Sequence, residues 1–244
     1  MPKEKTYKDL QADLHIHTVS SGHAYSTVGE IVAEAQKKGL KTIAITDHAP
    51  AMPGGAHPYH FNNLRVIESV QDGVRILRGV EANIIDVDGS LDLPKEALGH
   101  LDLVLAAFHV RCGYEDYGAE INTQTLTNTL EQYPVNIIAH PGNPAFKLNY
   151  DRVAQIAKEQ GVLVEFNNSS YSPNTSRRGA YEFDFELAKS CKKYGTNVVL
   201  TSDAHIASDI GTFEAAWDLV SKAGLDKSQI LNLDNERLLE FLNK

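Results

Sequence analysis

Apolar, β-branched runs recur along the chain at residues 10–16, 42–46, 75–80, 101–108, 135–139, 162–166 and 197–201, each of strand length. Between most of them lie stretches with apolar positions at helical spacing, at 28–38, 64–72, 151–160, 183–194 and 212–223, and residues 227–244 read as one more helix. Several helical stretches end in glycine (Gly39, Gly73, Gly161, Gly195, Gly224), the residue that accepts the left-handed conformation closing a helix. From Gly39 to Gly195 the glycine leads at once into a strand. Buried strands alternating with helices predict a parallel sheet, either doubly wound or closed into a barrel. No Pro/Gly/Ser linker and no short repeat interrupts the alternation, so residues 1–244 are expected to form a single domain.

Long loops at 49–63, 83–100, 111–122, 141–149 and 167–182 all follow a strand, the side on which α/β barrels carry their chemistry. The strand ends are unusual. The first, "DLHIHT", ends with His15 and His17, which share a face if the segment is extended because side chains alternate along a strand. Its loop adds His23. The second ends with Asp47 and His48, the third with Glu81, the fourth with His109, the fifth with His140 and the seventh with Asp203 and His205. Leaving Asp47 aside, seven imidazoles and two carboxylates thus point at one rim. Crowding them together without a cation would cost a large desolvation penalty, whereas divalent metals accept neutral imidazole and carboxylate as ordinary donors. One tetrahedral catalytic site needs about three protein donors, so nine predict two or three ions, with Glu81 the natural bridge. Surplus positive charge at such a cluster would attract anionic oxygens and lower the pKa of a bound water, which points to phosphate ester hydrolysis.

Composition narrows the field. A formal charge of -9 argues against a wide nucleic-acid surface, leaving short nucleotides as the limit. Cys112 and Cys191 form no CxxC pair, which excludes a disulfide framework or a thiolate zinc finger and suits a reducing cytoplasm. The N-terminal residues lack the apolar core of a signal peptide and no run is long enough to span a bilayer, so a cytoplasmic protein with no membrane partner is expected.

The "DLHIHT" start, the "TDH" turn, the isolated glutamate and the "AHP" and "SDAH" ends resemble the PHP (polymerase and histidinol phosphatase) family, and within it the YcdX-type phosphatases. The resemblance implies a distorted TIM-like (β/α)7 barrel around three divalent ions, Zn2+ first, with Mn2+ or Fe2+ as alternatives. It implies a first ion held by His15, His17, Glu81 and Asp203, a second by His23, His48 and His205, and a third by Glu81, His109 and His140. It implies a phosphoric monoester hydrolase acting on a small phosphorylated substrate through a metal-bound hydroxide, and a homo-oligomer, a trimer among the options. An amidohydrolase-type metal hydrolase is the rival, since it also opens with HxH on its first strand. A non-catalytic metal-binding PHP module is the third reading. Metal stoichiometry separates the first two.

Further residues carry weaker signals. Asp47 fits either an orienting partner for an imidazole or a proton donor to the leaving group. Arg177 and Arg178 follow the only strand without a metal-ligand candidate and are candidates for binding phosphate oxygens. Arg111 and Lys147 are lesser candidates for that task. His57 and His60 lie in a loop over the mouth and are candidates for substrate contact. His100 falls on the opposite rim, where a structural role is expected. Cys112 is expected to be a spectator, and the "NTS" at 174–176 to have no glycosylation role.

Overall fold

A computed structural model describes residues 5–243. Seven parallel strands make one sheet in the order β1 (Ala12–Asp13), β2 (Thr42–Ile45), β4 (Val74–Asn83), β5 (Leu103–Ala107), β6 (Ile137–Ile138), β7 (Leu163–Asn167) and β8 (Val198–Thr201), with β3 (Val70–Gln71) antiparallel on β4. Between the first and last parallel strands the wall is completed by one parallel bridge, Ile16 to Ala204, and by the His17 amide donating to the Ala204 carbonyl at 2.9 Å. The sheet is therefore a nearly closed, distorted (β/α)7 barrel.

Its helices are α1 (Val28–Lys37), α2 (Pro58–Asn63), α3 (Lys95–Leu98), α4 (Ala119–Gln132), α5 (Tyr150–Gln160), α6 (Ala180–Tyr194), α7 (Glu214–Lys222) and α8 (Asn235–Leu242). The helix starts follow local chemistry. At α1, Thr27 and Glu30 exchange side-chain bonds in a capping box, and at α5 the Asn149 side chain accepts from the Arg152 amide. Both α5 and α6 end on left-handed glycines, Gly161 and Gly195, as the sequence predicts.

Three expectations are corrected. Residues 64–72 are not a helix: α2 ends at Asn63, a 3-10 turn spans Leu64–Val66, and Val70–Gln71 pairs with β4 as a hairpin, because Asp72 and Gly73 both adopt positive φ and turn the chain tightly. The segment from 227 splits into two 3-10 turns, at Lys227–Gln229 and Leu231–Leu233, before α8; residue 244 lies outside the described residues. Helices were also not expected at α2 and α3, which are short and lie inside the long loops at 49–63 and 83–100, nor at the 14-residue α4. Its buried positions are Thr123, Thr125, Thr127 and Thr129, with Asn122, Leu126 and Leu130. Thr123, Thr127 and Thr129 donate their hydroxyls to carbonyls four residues earlier, so the helix buries polar side chains without leaving them unpaired.

Two apolar layers hold the barrel. Outside, the outward face of the strands meets the helices through residues such as Ile43, Ile45, Val80, Val104, Val164, Phe166 and Leu200. Inside, Ala12, Leu14, Ala44, Leu77, Leu103, Leu105, Ile137, Leu163 and Val199 form a second cluster closed below by Leu238. Along each inward face this apolar floor gives way to polar groups toward the carboxyl end. Leu77 is followed on its face by Gly79, Glu81 and Asn83, Leu163 by Glu165 and Asn167, and Val199 by Thr201 and Asp203. The floor and the chemistry are therefore stacked within one barrel.

Candidate metal centre

The first strand is shorter than its apolar run, and its alternation breaks in the middle: Leu14 belongs to the inner cluster and Ile16 to the outer one. After that break His15 and His17 turn inward together, with Nε2 atoms 3.1 Å apart. Two other candidates reach the same space through backbone that non-glycine residues rarely adopt. His140 has φ of 32° and Asp203 of 53°, so strain is concentrated at two strand ends where side chains are aimed into the cavity.

Glu81 is the hub. Its Oε1 lies 2.8 Å from His140 Nε2, 3.3 Å from His109 Nε2 and 3.4 Å from His15 Nε2. Its Oε2 lies 2.6 Å from His48 Nδ1 and 3.6 Å from His17 Nε2. Asp203 Oδ1 sits 3.2 Å from His17 Nε2 and 3.5 Å from both His15 Nε2 and His205 Nδ1. His23 is exposed at the mouth, its ring stacked 4.9 Å from that of His48 and 4.8 Å from that of His205. All nine candidates thus meet in one place. Three donor groups could each hold an ion: His17, His48 and His205; His15, His17 and Asp203; and His48, Glu81 and His109. These groups cut across the implied sets, since His48 sits with Glu81 as well as with His205.

The donors fit a cation on their own chemistry. His48 Nδ1 and Glu81 Oε2 approach to 2.6 Å, yet neither has a hydrogen-bond partner because their alignment is wrong for one. Two buried atoms this close and unbonded are aimed at a shared point, as ligands of one ion are. Burial, reinforced by His48 and His205, holds His17 down at about 3, and burial likewise lowers His109 and, at the mouth, His23. These rings are neutral at neutral pH, the form that binds metal. Burial also opposes charge on His15, but Glu165, Glu81 and Asp203 outweigh it and raise its value. His15 in turn holds Glu81 and Asp203 well below the usual carboxylate range despite their burial, with Arg177 adding to the effect at Asp203.

Glu165 was missed by the sequence reading, which left this strand without a candidate. Fully buried, it accepts from His15 Nδ1 at 2.6 Å, from the His140 amide at 2.6 Å and from the Thr201 hydroxyl at 2.7 Å. It fixes two candidate ligands at once, one by its tautomer and one by its backbone. The available signal was a lone glutamate inside "LVEFN", a charged residue where the strand is otherwise apolar. Asn83 does the same for His109, accepting from Nδ1 at 2.8 Å. Glu165→Gln is expected to weaken metal binding and kcat/KM by about 10–100-fold, read by metal titration and phosphate release. A variant matching the parent in both would show that Glu165 only fills space.

Asp47 is fully buried and does not line the cleft. Its carboxylate accepts from the Thr18 amide and hydroxyl, from Ser21 Oγ at 2.6 Å and from His60 Nε2 at 3.1 Å; Ser21 Oγ in turn lies 3.1 Å from His17 Nδ1. Burial would raise Asp47, but the bonds from His60 and Ser21 bring it down to about 2. This geometry supports the orienting role over proton donation. His57 is exposed and caps α2 through its Nδ1. His100 lies in a separate cavity with Arg65 and Arg78, away from the imidazoles.

The arginine pair divides. Arg177 turns inward, donating from Nη2 to Asp203 Oδ2 at 2.6 Å and from Nε to Ser170 Oγ at 2.9 Å, and it lines the cleft. Arg178 is exposed and lies outside the cleft lining, so the two do not act as a pair; consecutive residues in a turn point apart. Arg111 and Lys147 are exposed and also absent from that lining. Burial pushes the Cys112 thiol up to about 11, which leaves it protonated and inert.

Behind His140, Gly142 packs against the Asp184 carboxylate so closely that a Cβ there would collide with it. Tyr171 donates to Asp184 at 2.9 Å, and burial pushes this carboxyl from 3.8 up to about 7. The folded chain therefore keeps a proton that the unfolded chain has released in that window. The stability this provides is full below 3.8 and is lost as pH rises through about 7. Asp184→Asn is expected to flatten the decline, so that urea melts at about pH 5 and pH 8 differ less than in the parent. An undiminished difference would place its origin elsewhere.

The PHP domain matches residues 13–169. A probable phosphatase of Thermoanaerobacter sp. strain X514 is 44% identical over 235 residues, covering 96% of this chain and 95% of that one. A probable phosphatase of Acetivibrio thermocellus is 45% identical over 232 residues, 95% of each chain. Among solved structures, histidinol phosphate phosphatase of Lactococcus lactis, in complex with zinc, L-histidinol and phosphate, superposes with a TM-score of 0.61 at 17% identity, covering 89% of this chain and 95% of that one. At that identity the likeness is one of fold. No helix among the described residues is long and apolar enough to cross a membrane.

Proposed function

The chain belongs to the PHP domain family, and from that premise we propose that it is a phosphoric monoester hydrolase working on a small phosphorylated substrate with three divalent cations. His15, His17, His23, His48, Glu81, His109, His140, Asp203 and His205 would hold them, with zinc suited to a donor set rich in imidazole. The observation that carries this reading is Glu81, whose two oxygens face His15, His17, His48, His109 and His140 while its Oε2 and His48 Nδ1 stay unbonded to each other. Cations bound there would supply Lewis acidity toward phosphoryl oxygens and lower the pKa of a bound water.

The chain's own residues complete the site. Glu165 holds His15 with Nε2 inward, and Ser21, fixed by Asp47, lies against His17 Nδ1. Arg177 is anchored through Nε and Nη2, and its Nη1 makes no hydrogen bond among the described residues, so that edge is free for a phosphoryl oxygen beside the imidazoles. The net charge of -9 supports a small ester over nucleic acid, and a homo-oligomer is proposed with it, to be read by light scattering.

Phosphate release from p-nitrophenyl phosphate by metal-loaded protein, beside elemental analysis, tests the proposal. Three ions per chain with release support it. One or two ions with hydrolysis of an amide or lactone instead would favour the amidohydrolase reading, and an inert, metal-replete protein would favour a binding module.

A further inference from the structure

The cleft above the imidazoles has a volume of about 470 Å³, within the range of roughly 300–1,000 Å³ usual for small-molecule sites. One side is made of the candidate ligands. The other is formed by Asn143, Ser169, Ser172, Asn174, Thr175 and Ser176, interleaved with the apolar Met52, Val110 and Ala145. Outside the candidate ligands the sole charged residue lining the cleft is Arg177, and its charge is paired with Asp203. Among the described residues, neither the side-chain amide of Asn174 nor the Ser176 hydroxyl has a protein partner, and both side chains are exposed on the cleft wall. Ser172 Oγ and Thr175 Oγ1, by contrast, accept from the Asn174 and Arg177 amides and keep the loop in shape.

Such a wall selects by what it lacks. A leaving alcohol bearing an ammonium group would find no carboxylate there, and one bearing a carboxylate or second phosphate would find no uncommitted side-chain cation. A charged group held against this wall gains no ion pair from it, whereas hydroxyls are met by amides and hydroxyls able both to donate and to accept. Resting on the phosphatase reading, we propose that the leaving group of the substrate is an uncharged polyhydroxylated alcohol, a sugar or polyol, and that Asn174 and Ser176 select it.

The test is a matched panel with metal-loaded protein: p-nitrophenyl phosphate, glucose 6-phosphate, glycerol 1-phosphate, O-phosphoethanolamine and 3-phosphoglycerate. The neutral esters are expected to exceed the cationic and anionic ones in kcat/KM by about tenfold or more, the worth of one or two well-made hydrogen bonds. In Asn174→Ala/Ser176→Ala protein the KM for glucose 6-phosphate should rise by about tenfold while kcat holds. Equal rates across the panel, a preference for the amine or acid, or an unmoved KM would overturn the inference while p-nitrophenyl phosphate is still cleaved. Loss of p-nitrophenyl phosphate cleavage in the parent would instead overturn the phosphatase reading on which it rests.

Discussion

Glu81→Gln protein is expected to lose more than about 100-fold in kcat/KM, because even a partner that only orients a ligand costs about 10–100-fold when removed. Both oxygens of Glu81 are engaged, Oε1 facing His15, His109 and His140, and Oε2 facing His17 and His48. Glutamine keeps the shape but replaces one oxygen by a donor aimed at imidazoles whose lone pairs are needed. It also removes the negative charge that balances the ions. Elemental analysis should then find fewer ions per chain than in the parent, with circular dichroism unchanged. Parental metal content together with parental activity would refute the bridging role.

Stripping the metals is expected to abolish phosphate release and to lower the melting temperature. An ion that binds only the folded chain, present at roughly 1,000 times its Kd, stabilises by about 4 kcal/mol. For a chain of this length that moves the midpoint by about 8–16 °C per ion. Calorimetry before and after chelation, and again after zinc or manganese is restored, measures it. A chelated protein that melts and turns over like the parent would exclude a resident metal centre. Metal retention should also weaken as pH falls. His17 is already held neutral, but His15, raised by Glu165, Glu81 and Asp203 against its burial, keeps a proton that an incoming cation must displace.

The parts of this protein that could be read in advance are those whose cause is local. An apolar run of strand length followed by a histidine or acid marks a buried strand and its functional end, so seven strands and the nine donors at their rim were visible as a pattern. Glycine stops were visible too, since left-handed closure is a property of one residue. Where the cause lies in another part of the chain, the reading failed. In α4 the buried Thr123, Thr127 and Thr129 bond carbonyls of their own helix, Thr125 donates to the Val87 carbonyl and Thr129 also reaches Gly89, so an apolar stripe never forms. Glu165 was hidden for a related reason: its four partners come from β1's extension, the His140 amide, Asn167 and Thr201, distant in sequence apart from Asn167.

The sequence by itself determined the alternation of strands and helices, and which residue types end the strands, because burial and turn chemistry act over a few neighbouring positions. Only the tertiary structure decided that His140 and Asp203 would bend into left-handed conformations, that Arg177 would turn in while Arg178 turned out, and that Asp47 would be buried against Thr18, Ser21 and His60 outside the cleft lining. Those outcomes depend on closing the barrel, when side chains from seven strands compete for one enclosed volume and each polar atom must find a partner or a cation there.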